Sequence, residues 1–258
     1  MCFRINRKQV DRVVFAVLVG LLSVDAGFLL LTVLQKLGVV ADLRASVGYD
    51  HAFANGYQYA KEATAAAAFG VLLARHRQPV YGALAATFAL VLGDDALGLH
   101  ERMGRALAGP LRLPSIREME PVYVGELVVL TAGGLAVTGL MAATYRRSRR
   151  PARTDTRIAL VGLGVLFGFG AVIDAVHSAF QSVYGLSFLL LLVEERGELV
   201  TMSLLVAAAT WSLRRVRAGR GRALSRRASA HSVPVEPKPP VPRVDASSVS
   251  ARSSRTGR

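Results

Sequence analysis

Apolar residues in this chain are not spaced as one face of a soluble helix or strand; they come in long unbroken runs. Runs of about 20 residues, enough to cross a bilayer, occupy roughly 13–34, 53–75, 79–100, 122–145, 157–180 and 186–212. In hydrocarbon every backbone N–H and C=O must be satisfied within the segment, so such runs predict helices. The expected fold is therefore all-α: a polytopic membrane helix bundle with six transmembrane helices filling residues 13–212. A basic segment (residues 1–12) precedes the bundle and a tail (residues 213–258) follows it. The first run, VVFAVLVGLLSV after MCFRINRKQVDR, imitates a signal peptide. It is too long for a signal core, carries Asp25 and lacks a small-residue cleavage site, so it reads as a retained helix.

Polar connections set the direction. Arg4, Arg7, Lys8 and Arg12 precede the first span, RHRQ joins the second and third, YRRSRRPARTDTR joins the fourth and fifth, and LRRVRAGRGR follows the sixth. These are alternate connections, and short Lys/Arg-rich loops stay in the cytoplasm, so both termini are expected there. The third connection, with four arginines partly balanced by Glu118 and Glu120, fits least well.

Composition agrees with a membrane protein: 52% of the 258 residues are hydrophobic and the mean hydropathy is +0.37. A net charge of +14 raises the question of nucleic acid, but its distribution answers it. Eleven arginines and one lysine against Glu236 and Asp245 place ten of those charges in residues 213–258. That tail is rich in Arg, Ser, Ala and Pro and poor in large apolar residues, so it is expected to be disordered. Lying just inside the membrane, it should attract anionic lipid headgroups, and without aromatic residues it offers nucleic acid nothing to stack on. Cys2 is the only cysteine, which excludes an intrachain disulfide and any multi-cysteine zinc or iron–sulfur site. The excess of Arg over Lys with abundant Ala and Gly points to a high-GC bacterium, and hence to the plasma (inner) membrane.

The informative residues are the ionisable ones inside the spans. Asp25 and Glu62 lie near mid-span; Asp94, Asp95, His100 and Glu101 end the third span; Glu126 begins the fourth. Asp174 and His177 end the fifth, and Glu194, Glu195, Arg196 and Glu198 lie early in the sixth. With the expected topology, all sit at the midplane or outside it. A carboxylate at that depth costs at least about 2.5 kcal/mol unless it faces protein or a wet cavity, so this many at one level imply one shared cavity. At 100° per residue, Glu194, Glu195 and Glu198 share an arc, and Asp174 and His177 share a face. On a continuous third helix Asp94 and Glu101 line up, while Asp95 and His100 diverge to either side.

Clustered carboxylates escape mutual repulsion by binding a cation or by holding protons. Helix bundles that hold two metal ions take carboxylates and E-x-x-H pairs from facing helices, and D174-A-V-H177 has that form with the shorter acid. The expected ligands are Asp94, Asp95, His100, Glu101, Asp174, His177, Glu194, Glu195 and Glu198. Oxygen and imidazole donors suit manganese, iron or zinc. A metal-dependent hydrolase or redox enzyme acting on a lipid-like substrate is the first expectation. The alternatives are a proton- or cation-coupled transporter or sensor, which would work as a homodimer, and a structural membrane protein whose polar groups only join helices.

Three further features carry expectations. Gly164-x-x-x-Gly168 offers a small face for close helix packing. Tyr49, Tyr57, Tyr59, Tyr123 and Tyr184 lie near outer span ends and Trp211 near an inner one, as in an interfacial belt. In the third connection Met103, Leu107 and Leu111 recur at helical spacing, predicting a short amphipathic helix over the cavity. Lys61 and Arg196 are expected to be neutralised by ion pairs.

Overall fold

A computed structural model describes residues 7–40, 53–116 and 119–231. They are helical, with no strand beyond one isolated bridge between Ile116 and Met119. The helices are α1 (Arg7–Lys36), α2 (Phe53–His76), α3 (Pro79–Leu97), α4 (Leu99–Ala108), α5 (Pro121–Arg146), α6 (Arg150–Phe167), α7 (Asp174–Ala179) and α8 (Tyr184–His231); a π-helical turn, Gly168–Ile173, joins α6 to α7. Four stretches are long and apolar enough to cross a membrane: Asp11–Gln35, Pro79–Leu97, Pro121–Arg146 and Arg150–Ala179. The other two predicted spans, α2 and the first half of α8, are helical but carry Lys61, Glu62, Glu194, Glu195, Arg196 and Glu198.

Local sequence sets the helix ends. Prolines 79, 121 and 151 sit in the first turns of α3, α5 and α6, where a missing N–H leaves no hydrogen bond unmade. Only Arg77 and Gln78 separate α2 from α3, so the two helices run antiparallel, with Arg77 at φ 49°. The Gln78 side-chain oxygen accepts a hydrogen bond from the Arg149 amide at 3.0 Å, bringing the α2–α3 and α5–α6 turns together. At that same end the Arg215 guanidinium of α8 donates to Pro151 O at 3.3 Å. Val14 and Leu18 of α1 line a groove there with Ile158 and Trp211. The arginine-rich connections thus share one end of the bundle, here called the arginine end.

Next to that end lies a dry layer. Phe69 and Leu72 of α2, Leu84 and Phe88 of α3, Met141 of α5, and Met202 and Leu205 of α8 are buried together, with Phe69 and Phe88 stacked at 5.6 Å. Outside it the bundle is apolar: Phe15, Leu135, Val161 and Leu189 are exposed, as lipid contact requires.

Two expectations change. The tail was expected to begin at residue 213, but α8 continues as helix to His231. Residues 232–258, the rest of the expected disordered tail, lie outside the described residues, as do Arg4, Tyr49 and Glu118. Gly164 faces open space and so joins no helix pair. Close approach falls instead at Gly104 against Gly125, Gly162 against Leu205, and Gly197 against the Phe169 ring.

Candidate functional site

The site is assembled at the end opposite the arginine turns, where α8 meets the π-helical turn. A Cβ on Gly197 would strike the Phe169 ring, and one on Gly170 would strike Glu198 Oε1. These reciprocal glycines let the two backbones approach, and Gly170 leaves room for the Glu198 carboxylate against the opposing chain. π-Helical turns cluster at functional sites, where the wider turn re-aims the side chains beyond it. Here those side chains are Asp174 and His177, directed at α8.

Asp174, His177 and Glu194 each offer one donor atom, and those atoms lie within 4.8 Å of one another. The His177 Nδ1 atom is 3.4 Å from Glu194 Oε2. Its other nitrogen, Nε2, lies 3.0 Å from the Ser187 hydroxyl, a contact that orients the ring. All three side chains are partly buried. Asp174, Glu194 and Glu195 are also electrostatic neighbours of Glu198, so the cluster continues along α8.

A second group closes the corner between α3 and α4. Gly98 adopts the left-handed conformation, φ 59° and ψ 46°, and its amide donates to Asp94 O at 2.7 Å. The chain turns there and His100 folds back: its amide donates to Asp94 Oδ1 at 2.8 Å and its Nδ1 lies 2.9 Å from Asp94 Oδ2. The Asp94 carboxylate hydrogen-bonded to it raises the His100 pKa above the ordinary 6.5, outweighing the burial that lowers it. Asp94 and His100 therefore meet rather than diverge, because the helix is not continuous through Gly98. Asp95 has Glu62 of α2 as a side-chain neighbour, and its carbonyl accepts from the Tyr59 hydroxyl at 3.0 Å. Glu101 is exposed in the first turn of α4. Glu126, buried at the start of α5, has His100, Glu101 and Asp174 as electrostatic neighbours.

The family model described as a domain of unknown function, DUF8692, matches residues 12–213. The chain belongs to the DUF8692 family. No curated protein and no solved structure matches it. The DUF8692 match takes in α1 from Arg12, α2 to α7, and α8 as far as Leu213, and so every residue of the cluster.

Elsewhere in the DUF8692 region the polar groups join helices. Lys61 is 2% exposed and donates to Asp25 Oδ1 at 3.2 Å and to Leu199 O at 2.7 Å, while Ser203 Oγ donates to Asp25 Oδ2 at 2.7 Å. This sealed triad ties α1, α2 and α8 together. The Tyr57 hydroxyl donates to Leu21 O at 3.0 Å, so Tyr57 and Tyr59 link helices. Arg196 was expected to have an acidic partner, yet it donates to Phe28 O at 2.9 Å and Thr32 Oγ1 at 2.6 Å of α1, and its remaining two nitrogens are unpaired among the described residues. Glu195 beside it and Asp25 of α1 act on its charge from a distance, without an ion pair among the described residues.

Sequence reasoning missed Asp155. It is buried at the arginine end, accepting from the Tyr81 hydroxyl at 2.7 Å and from Arg215 at 2.7 Å, with Arg215 stacked on Trp211 at 4.4 Å. The signal was available: Ala152, Asp155, Thr156 and Ala159, all buried, have the i, i+3, i+4, i+7 spacing of one helix face.

Proposed function

We propose that this DUF8692 protein binds a divalent cation at Asp174, His177 and Glu194 within a six-crossing membrane domain, and that the cation activates water against a lipid-like substrate. The observation that carries this reading is the convergence of two carboxylates and one imidazole from α7 and α8. Three protein ligands leave coordination positions open, as in sites that polarise a substrate oxygen or lower the pKa of bound water. The donor set suits manganese, iron or zinc. A substrate reaching this cluster from its own end meets the dry layer beneath it, which favours a one-sided reaction site over a carrier that passes its cargo through.

In the same reading all six long helices cross the inner membrane, both termini are cytoplasmic, and the arginine-rich continuation of α8 lies against anionic headgroups. Charged α2 and α8 remain compatible with crossing because Lys61, Glu62 and Glu198 face protein, where the cost of exposing charge to lipid does not arise.

Metal content of the detergent-purified protein, read by inductively coupled plasma mass spectrometry, tests the site. Wild type should carry about one equivalent of one divalent metal, and His177→Ala, Glu194→Ala should lose it while keeping its helical circular dichroism. Wild-type protein that stays metal-free after incubation with manganese, iron and zinc would overturn the reading.

A further inference from the structure

A cavity lies between the start of α5 and the segment formed by the π-helical turn and α7. Tyr123 and Glu126 of α5 and Asp174 and Ser178 of α7 bring polar groups to it, while Leu127 and Leu130 of α5 and Ala175 of α7 form an apolar flank. Glu126 is 9% exposed and Ser178 3%, yet among the described residues neither the Glu126 nor the Asp174 carboxylate receives a hydrogen bond, and the Tyr123 and Ser178 hydroxyls are unpaired. Buried polar groups without partners that converge on a cavity mark a place that a ligand or water completes.

Size and charge narrow what that ligand can be. The free space at the centre, about 10 Å³, accepts one water-sized group and is too small for a phosphate. No basic residue lines the cavity, and Arg105 and His100, outside it, act on Glu126 from a distance, so an anionic group would meet two carboxylates with no counter-charge in contact. A hydroxyl suits the site, because its O–H donates to a carboxylate and its oxygen accepts from Tyr123 or Ser178. The flank faces lipid: Val128, next to Leu127, and Val172 and Val176, on either side of Ala175, are exposed.

We propose that this cavity binds a long-chain alcohol from the bilayer, its terminal hydroxyl held by Glu126 and Asp174 and its chain lying along Leu127 and Leu130. The lipid-like substrate of the proposed cation site is then a lipid with a free hydroxyl. Its link to a reaction rests on a cation at Asp174; occupancy of the cavity does not.

Photolabelling of the full chain in detergent, made metal-free with chelator, tests occupancy alone. The probe is a saturated primary alcohol with a diazirine in its chain; the competitors are the unlabelled alcohol, its methyl ether, which has no donor, and its phosphate monoester. Label located by peptide mass spectrometry should concentrate in residues 121–130 and 171–178, displaced by the alcohol and not by the ether or the phosphate ester. Glu126→Leu, which keeps the bulk and removes the acceptor, should weaken apparent affinity about tenfold. Should that variant not fold, Leu127→Trp fills the flank and should abolish the localised label, whereas Leu135→Trp, exposed on the same helix, should leave it in place. Label spread evenly over the exposed helix faces and unchanged in Leu127→Trp would show that the cavity holds water only and would overturn the proposal. Competition by the ether or the phosphate ester equal to that by the alcohol would overturn the hydroxyl assignment. A wild type that takes up no metal yet labels in the expected place would overturn the cation reading and leave the alcohol site standing.

Discussion

At the scale of single residues, the Asp94–His100 contact has a definite pH signature. The His100 pKa is raised in the folded protein, first by its hydrogen bond to Asp94. The stabilisation from this pair is therefore fully present below the unfolded histidine value, about 6.5, and is lost as pH rises through the higher folded value. Replacing Asp94→Asn should lower the His100 titration midpoint followed by NMR of the imidazole. The stability lost should be at most about 1 kcal/mol at pH 6, as befits a partly exposed pair, and should shrink toward pH 8. A midpoint unchanged in the variant would show that Asp94 does not set the His100 charge. The residue types of this corner were legible in the sequence, whereas their pairing was not. A helix carried through Gly98 sends Asp95 and His100 apart; the left-handed glycine brings His100 back to Asp94 and leaves Asp95 for Glu62. The same limit hid Asp155, since an arginine-rich connection read as loop has no buried face on which to place an acid.

At the scale of elements, the apolar runs located the helices well because lipid leaves the backbone few alternatives. Predicted spans 53–75, 79–100 and 122–145 correspond to α2, α3 with its corner, and α5. Hydrophobicity was silent where a helix persists in polar sequence, so α6 starts at Arg150 and α8 runs beyond Leu213. It was equally silent on which glycines meet. The closest backbone approach in the third connection is Gly104 of α4 on Gly125 of α5, where a Cβ on Gly125 would strike Gly104 O. Backbone cannot rotate aside as a side chain can. Gly125→Ala should therefore destabilise the protein by about 1–3 kcal/mol and loosen α4, read as a lower melting temperature in detergent and faster proteolysis within residues 109–116. Gly133→Ala, on the same helix with open space around it, is the control and should fall within about 0.5 kcal/mol of wild type. Equal melting temperatures for the two variants would mean that α4 is not held by this contact. With α4 held at Gly125, exposed Met103 on it and Leu111 just beyond its end form an apolar rim, so α4 would serve as a wall of the site.

At the scale of the whole molecule, the question is how many times the chain crosses the membrane. Length and apolarity alone support four crossings, by α1, α3, α5 and α6 with α7. The proposed six-crossing reading rests on packing. α2 and α8 both carry buried faces, and their charges meet partners on neighbouring helices: Lys61 on Asp25, Arg196 on Phe28 O and Thr32. A helix at the centre of a bundle is screened from lipid by its neighbours and can be the less apolar one. α8 has 48 residues, about 70 Å at 1.5 Å each, so it can cross a bilayer core of roughly 30 Å and still project beyond it. The two counts differ in where the chain's own thiol lies. With six crossings Cys2 and residue 149 share one side, and residue 109 is on the other. With four, Cys2 shares its side with residue 109. A membrane-impermeant thiol reagent on intact cells should therefore label Gly109→Cys in a Cys2→Ser background. Cys2 in the wild type and Arg149→Cys in the Cys2→Ser background should be spared until the membrane is permeabilised. Labelling that groups Cys2 with residue 109 would remove α2 from the membrane. The acid cluster would then lose the protein walls that justify it, because Glu62 could no longer lie at bilayer depth between α3 and α8.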